Sequence, residues 1–347
     1  MKKLLCSLTA VMLMGTLLMT GCGSAATSEG EQTTGNDSET QQASATDESF
    51  DIGIIQLTEH PALDAAREGF VEAMAEGGLK EGENITLDVQ NAQNDQSNLK
   101  TIAQKFVSDD KDLVLAIATP AAQSIAAETT EIPILVTAVT DPAASGLCET
   151  NEAPGGNVTG TSDLTPIKEQ IELLQQLIPE AKKIAILYNS GEQNSVIQAD
   201  MAKAAAAELG IECEDKTVTS TNDVAQVTNS LIGNYDAVYV PTDNTLASSM
   251  PLVSSITNPA GLPVIVGEQG MAEGGGLASV AVSYSDLGKM TGKMACEILL
   301  EGKNPAEMPI GYTENPQLII NTDAVAELGM TIPQEILDKA ELITTAQ

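Results

Sequence analysis

The chain carries one α/β pattern twice. Residues 113–124 align without a gap on 237–248, residues 132–138 fall on 262–268 downstream, and 54–58 fall on 186–190 upstream. Within each copy, short unbroken apolar runs alternate with helical patterns. In the first half, runs at 50–57, 85–89, 113–118 and 134–139 read as strands, and 61–77, 95–107 and 120–130 read as helices. In the second half the order is helix 166–178, strand 184–188, helix 192–209, strand 213–218, helix 222–232, strand 237–240, helix 244–256 and strand 263–266. Continuous apolar strands between helices predict parallel sheets covered on both faces. The expected fold class is therefore α/β, with two similar doubly wound parallel-sheet lobes around a cleft.

The remainder is too short for a third domain. A strand at 279–283, a helix at 286–300, a strand at 316–321 and a helix at 322–328 are expected to add to the two lobes. The chain then crosses between lobes more than once, near Ser162 to Pro166, Ser283 to Asp286 and Gly311 to Asn315, which are the candidate hinges. The expected division is 50–163 plus about 284–311 for the N-terminal lobe, and 164–283 plus about 316–347 for the C-terminal lobe.

The N-terminus has a different grammar. Lys2 and Lys3 precede an apolar run over 4–19 that is too short to span a bilayer, and small residues follow, which is the pattern of a secretory signal peptide over 1–21. Leu18-Met19-Thr20-Gly21-Cys22 resembles a bacterial lipobox, with Met19 where that motif usually has leucine. The resemblance implies acylation of Cys22 and anchoring to the outer face of the cell membrane. Residues 22–49 are Ser, Thr, Gly, Gln, Asn and acids with little apolar content, as expected of a flexible tether.

A formal net charge of −33 argues against nucleic acid, whose binding needs Lys and Arg on phosphates, and against docking on anionic head groups. Cys148, Cys213 and Cys296 stand apart, without a C-x-x-C pair, so neither a disulfide framework nor a metal site is indicated. His60 is the only histidine and has no partners for a zinc site or a nucleophilic triad. No phosphate loop or nucleophile elbow is present. Neither an enzyme nor a cofactor is expected.

In open parallel sheets ligands sit beyond the carboxyl ends of the strands. In the first copy those loops hold Thr58 and His60, Thr119 running on to Ala121, and Thr140 with Asp141. In the second they hold Tyr188, Ser190, Glu192, Asn194 and Ser195, then Thr242, Asp243, Asn244 and Thr245, and Glu268. Helix N-termini favour a carboxylate, while Asp141, Glu192 and Asp243 could take an ammonium. That combination suits an amino acid, with Asp243 the leading candidate for its amine. Thr119 and Asp243 also stand where helix N-caps belong, a role that needs no ligand.

Five segments carry a resemblance: Gln-Leu-Thr-Glu-His-Pro-Ala-Leu-Asp-Ala-Ala-Arg-Glu-Gly-Phe at 56–70, Ala-Thr-Pro-Ala-Ala-Gln at 118–123, Val-Thr-Asp-Pro at 139–142, Pro-Gly-Gly-Asn-Val-Thr-Gly at 154–160 and Pro-Gln-Leu-Ile-Ile-Asn at 316–321. On these, residues 50–336 resemble the type I periplasmic-binding-protein fold, and more narrowly the ABC-transporter substrate-binding family that includes tryptophan and tyrosine receptors. The resemblance implies three inter-lobe crossovers, an ABC permease as partner, a monomer, and a clamped amino acid, aromatic by family: tryptophan, tyrosine or phenylalanine. Two alternatives stay open, a lipid-anchored sensing module and a receptor for another small solute such as a branched-chain amino acid or nucleoside.

Overall fold

The computed structural model describes residues 49–346. The signal peptide, the lipidation site Cys22 and all of the tether except Ser49 lie outside the described residues. In the first lobe β1 (Phe50–Gln56), β2 (Ile85–Asn91), β3 (Leu113–Ile117), β4 (Ile134–Val139) and β5 (Val158–Ser162) form a parallel sheet in the order β2-β1-β3-β4-β5. In the second, β6 (Lys183–Asn189), β7 (Glu212–Val218), β8 (Ala237–Val240), β9 (Val264–Val266) and β10 (Ala278–Ala281) take the matching order β7-β6-β8-β9-β10. The sequence duplication is thus a duplication of topology. Two further strands, β11 (Gln317–Asn321) antiparallel to β10 and β12 (Glu341–Ile343) parallel to β11, extend the second sheet.

Burial explains the strand sequences. The central strands β3, β4, β8 and β9 are buried at every residue, because helices cover both faces. The outermost β2 and β7 are only partly buried, with Thr86 and Val89 exposed in β2 and Glu212, Asp215 and Thr217 in β7. β5 has no apolar run, only Val-Thr-Gly-Thr-Ser, and the sequence pattern does not reveal it. It is fully buried all the same, since its hydroxyls find partners: Thr159 donates to the Met308 carbonyl at 2.6 Å, Thr161 pairs with Thr137 and Thr291, and Ser162 donates to the Thr140 carbonyl at 2.6 Å.

Helices α1 (Pro61–Glu76), α2 (Gln96–Ser108) and α3 (Thr119–Ala126) connect the strands of the first lobe. The last ends short of the expected 130, where the Thr129 hydroxyl takes the N–H groups of Glu131 and Ile132 into a turn. The second lobe holds α4 (Ile167–Leu177), α5 (Gln193–Glu208), α6 (Thr221–Leu231), α7 (Asn244–Thr257) and the short α8 (Gln269–Glu273). The chain returns to the first lobe in α9 (Tyr284–Glu301), capped by the Ser283 hydroxyl on the Asp286 N–H, and ends in α10 (Thr322–Leu328) and α11 (Gln334–Leu337) of the second. α9 lies along α1 so closely that a Cβ at Gly288 would collide with the Ala66 carbonyl, and one at Gly292 with that of Phe70. Glycine is required there for contact, not for its dihedral range.

The chain passes between lobes three times: from β5 to α4, from β10 to α9, and from the bridge of Gly311 with Thr161 to β11. Among the described residues no helix is long and apolar enough to cross a membrane, and no group of three or more His, Cys, Asp or Glu is placed to hold a metal ion.

Candidate functional site

The carboxyl ends of both sheets face one another, and the lobes are shut. His60 reaches Asn244 at 3.4 Å, Asn94 donates to the Thr245 hydroxyl at 3.1 Å, and Gln198 donates to that of Thr140 at 2.7 Å. Gln193 accepts from Gln123 at 2.7 Å and donates to the Ala144 carbonyl at 3.0 Å. Behind these contacts lies a small cavity. Its polar lining is His60, Asp163, Asn194, Thr242, Asp243, Asn244, Glu268 and Tyr284, and its apolar lining is Leu63, Ala138, Ala247 and Met271. Ala138 is turned inward by a register shift between Val136 and Val139, which puts it at φ 55°. Ala118, at the end of β3, has φ 83°. Backbone held in this unfavourable region beside a cleft fits a site built for binding.

Four carboxylates of this region are buried: Asp163, Glu192, Asp243 and Glu268. None is paired with a Lys, Arg or His among the described residues. They divide by what else they touch. Asp243 caps α7 through the Leu246 N–H at 2.8 Å, and its other oxygen takes the Asn189 N–H at 2.6 Å and the Ser195 hydroxyl at 2.7 Å. Glu192 accepts from the backbone and side chain of both Asn244 and Thr245, at 2.6 to 3.1 Å. These two hold the N-terminus of α7, an end that favours negative charge. Burial, and then the neighbouring Glu192, still raise the Asp243 carboxyl above its ordinary range.

Asp163 has no such complement, and Glu268 has only two backbone N–H groups. Asp163, the residue after β5, accepts from the Tyr284 hydroxyl at Oδ2 at 2.7 Å, while its Oδ1 is buried with no partner. Burial pushes the Asp163 carboxyl upward, against the opposing pull of Tyr284 and Thr140. Glu268 caps α8 through the N–H groups of Gly270 at 2.8 Å and Met271 at 2.9 Å, yet burial carries it up to about 7. Burial drives the Tyr284 phenol well above its usual value and lowers His60 to about 4, so its imidazole is neutral at physiological pH.

The other residues singled out from the sequence fall into three places. Thr58 borders a polar crevice at the cleft mouth with Gln123, Asn189 and Glu192, and exposed Ser190 stands at its edge, its N–H on the Val218 carbonyl. Thr140, Asn194, Ser195, Thr242 and Thr245 are buried between the lobes, and the Asn194 Oδ1 has no partner there. Thr119 is buried with its hydroxyl unpartnered at the start of α3. Three stand apart from the cavity. Ala121 is wholly enclosed in the first lobe's core. Asp141 closes its own loop on the Ala144 N–H and the Asn151 amide, both at 3.0 Å. Tyr188 turns away from the cleft into the second lobe's core, its phenol beside Asp215 and Lys203. Asp163 and Tyr284 are the polar lining residues that sequence reasoning missed; their one signal was their place inside the expected first and second crossings.

The profile of the family described as "ABC transporter substrate binding protein" matches residues 51–343. A tyrosine-binding protein of Clostridioides difficile is 43% identical over 333 residues, covering 95% of this chain and 93% of the relative. The crystal structure of an ABC domain in complex with L-Trp from Streptococcus pneumonia superimposes with a TM-score of 0.82 at 39% identity, over 85% of this chain and 99% of that one. The ligand-free, open structure of a substrate-binding protein with adhesive properties from Clostridium difficile gives 0.66 at 46% identity, over 86% and 100%. The more identical chain, described as open, superimposes less well.

Proposed function

The chain belongs to the ABC transporter substrate-binding protein family, and from that premise we propose that its ligand is an aromatic amino acid whose ammonium is held by Asp163 and Glu268. It is an extracytoplasmic receptor that presents a small molecule to an ABC transporter. Asp163 carries the proposal: a fully buried carboxylate with one unpartnered oxygen and no cation in reach is an incomplete ion pair. An ammonium in the cavity completes it. The apolar side chains of Leu63, Ala138, Ala247 and Met271 offer a bed for a ring, and relatives that bind tyrosine or hold L-Trp favour an aromatic one.

The two lobes, 50–163 with about 284–311 and 164–283 with about 316–347, act as jaws that close by rotation about the three crossings. We infer that Cys22, in its lipobox-like setting, carries lipid and holds the monomeric receptor at the outer face of the membrane through the 22–49 tether. Replacing Cys22 with Ala should release a folded protein into the soluble fraction, and retention on membranes would refute the anchor.

The ligand is tested by thermal melting against each of the twenty amino acids, followed by calorimetry. Tyrosine or tryptophan should raise the melting temperature. If none of the twenty shifts it, the amino-acid reading fails.

A further inference from the structure

The cavity presents hydrogen-bond acceptors and lacks matching donors. Its unpartnered polar atoms are Asp163 Oδ1, Asn194 Oδ1 and His60 Nδ1. The character of the last follows from its neighbours. The Asn244 amide donates to Glu192 at 2.6 Å, which turns its Oδ1 toward His60. The His60 Nε2 that faces this oxygen at 3.4 Å must carry the ring's hydrogen. With the imidazole neutral, Nδ1 is left as a bare lone pair, buried and without a donor.

His60 and Asp163 enter the cavity from different sides. His60 leads out of β1 and Asp163 out of β5, with β3 and β4 between them in the sheet. Leu63 and Ala247 line the cavity with His60, while Asp163 holds the Tyr284 hydroxyl at 2.7 Å. An ammonium held at Asp163 and Glu268 leaves the His60 lone pair still open.

We propose that His60 selects among aromatic amino acids, accepting at Nδ1 a hydrogen bond from a donor on the ring, the phenol O–H of tyrosine or the indole N–H of tryptophan, and so disfavouring phenylalanine. This inference rests on the amino-acid reading above. A ligand that fills the cavity without supplying a donor strands the acceptor out of water, a loss of roughly 10- to 100-fold in affinity.

Calorimetry with tyrosine, tryptophan and phenylalanine tests it on the wild-type protein, His60→Asn and His60→Leu. Wild type should bind tyrosine or tryptophan about tenfold or more tightly than phenylalanine. His60→Asn can place an amide oxygen near the position of Nδ1 and should keep much of the preference. His60→Leu should bring the ratio close to one with little change for phenylalanine. Equal wild-type affinities would overturn the proposal, and that comparison needs no variant to fold. An equal loss for all three ligands in His60→Leu would place His60 on the amino-acid moiety instead, and would also overturn it. Binding of none of the three to wild type would remove the amino-acid reading itself, and the role of His60 with it.

Discussion

Tyr284 donates its hydroxyl hydrogen to Asp163 Oδ2 over 2.7 Å, joining the first residue of α9 to the residue that leaves β5. One buried hydrogen bond thus ties two of the three inter-lobe crossings, and its acceptor is the carboxylate with an oxygen open to the cavity. Ligand charge and hinge geometry meet at one side chain.

Asp163→Asn keeps the shape and removes the charge. Loss of one member of a desolvated ion pair costs about 2–5 kcal/mol, or roughly 30- to several-thousand-fold in amino-acid affinity. The empty variant should melt no lower than wild type, because an uncompensated buried carboxylate is gone. Tyr284→Phe, which removes only a neutral donor, should weaken binding less. Calorimetry beside thermal melting separates the effects, and unchanged affinity in Asp163→Asn would place the amine elsewhere.

Affinity should fall in acid. Glu268 stands near 7 in the empty site and burial raises Asp163 as well, so protons compete with the ligand ammonium for both. Binding should weaken by about tenfold or more between pH 8 and pH 5. His60, held near 4, stays neutral across that window and contributes nothing. For the empty protein the sign is the reverse. A carboxyl raised in the folded state binds more protons there than when unfolded, so its contribution to stability is present at low pH and fades as pH rises toward 7. Ligand should therefore stabilise the fold more at pH 8 than at pH 5, and a pH-independent dissociation constant would contradict this.

Glu192 and Asp243 should behave as structural acids. Either residue replaced by Ala strips donors at the start of α7 of their acceptor and should lower stability by about 1–3 kcal/mol. The double variant should lose less than the sum, since both serve one helix end. Equal melting temperatures for wild type and Asp243→Ala would show that the cap is not required.

Gln193 should stabilise closure. Its amide bridges Gln123 and the Ala144 carbonyl across the lobes while the residue itself stays exposed. Gln193→Ala should leave the fold intact and raise the population of open molecules. Small-angle scattering should show a larger radius of gyration for the unliganded variant, and ligand should restore it. Identical profiles for wild type and variant would count against the latch.

The sequence by itself determined the twofold α/β plan. Apolar runs such as 113–117 and 237–240 can be buried only as central strands, and their loops must then open at the same end of each sheet. It also placed His60, Asp243, Asn244 and Glu268 among the cleft candidates, because strand ends are visible as the points where apolar runs stop. Two things were decided only by the tertiary structure. One is β5, whose Thr and Ser side chains look like loop until partners from β4, α9 and the chain near Met308 satisfy them. The other is the division of labour among the acids. Along the chain Asp163 and Asp243 are residues of the same kind at similar turns. Asp243 meets three donors of its own lobe, whereas Asp163 meets one tyrosine and an empty side. Whether a buried charge is satisfied depends on neighbours distant in sequence, and no local pattern of residues records it.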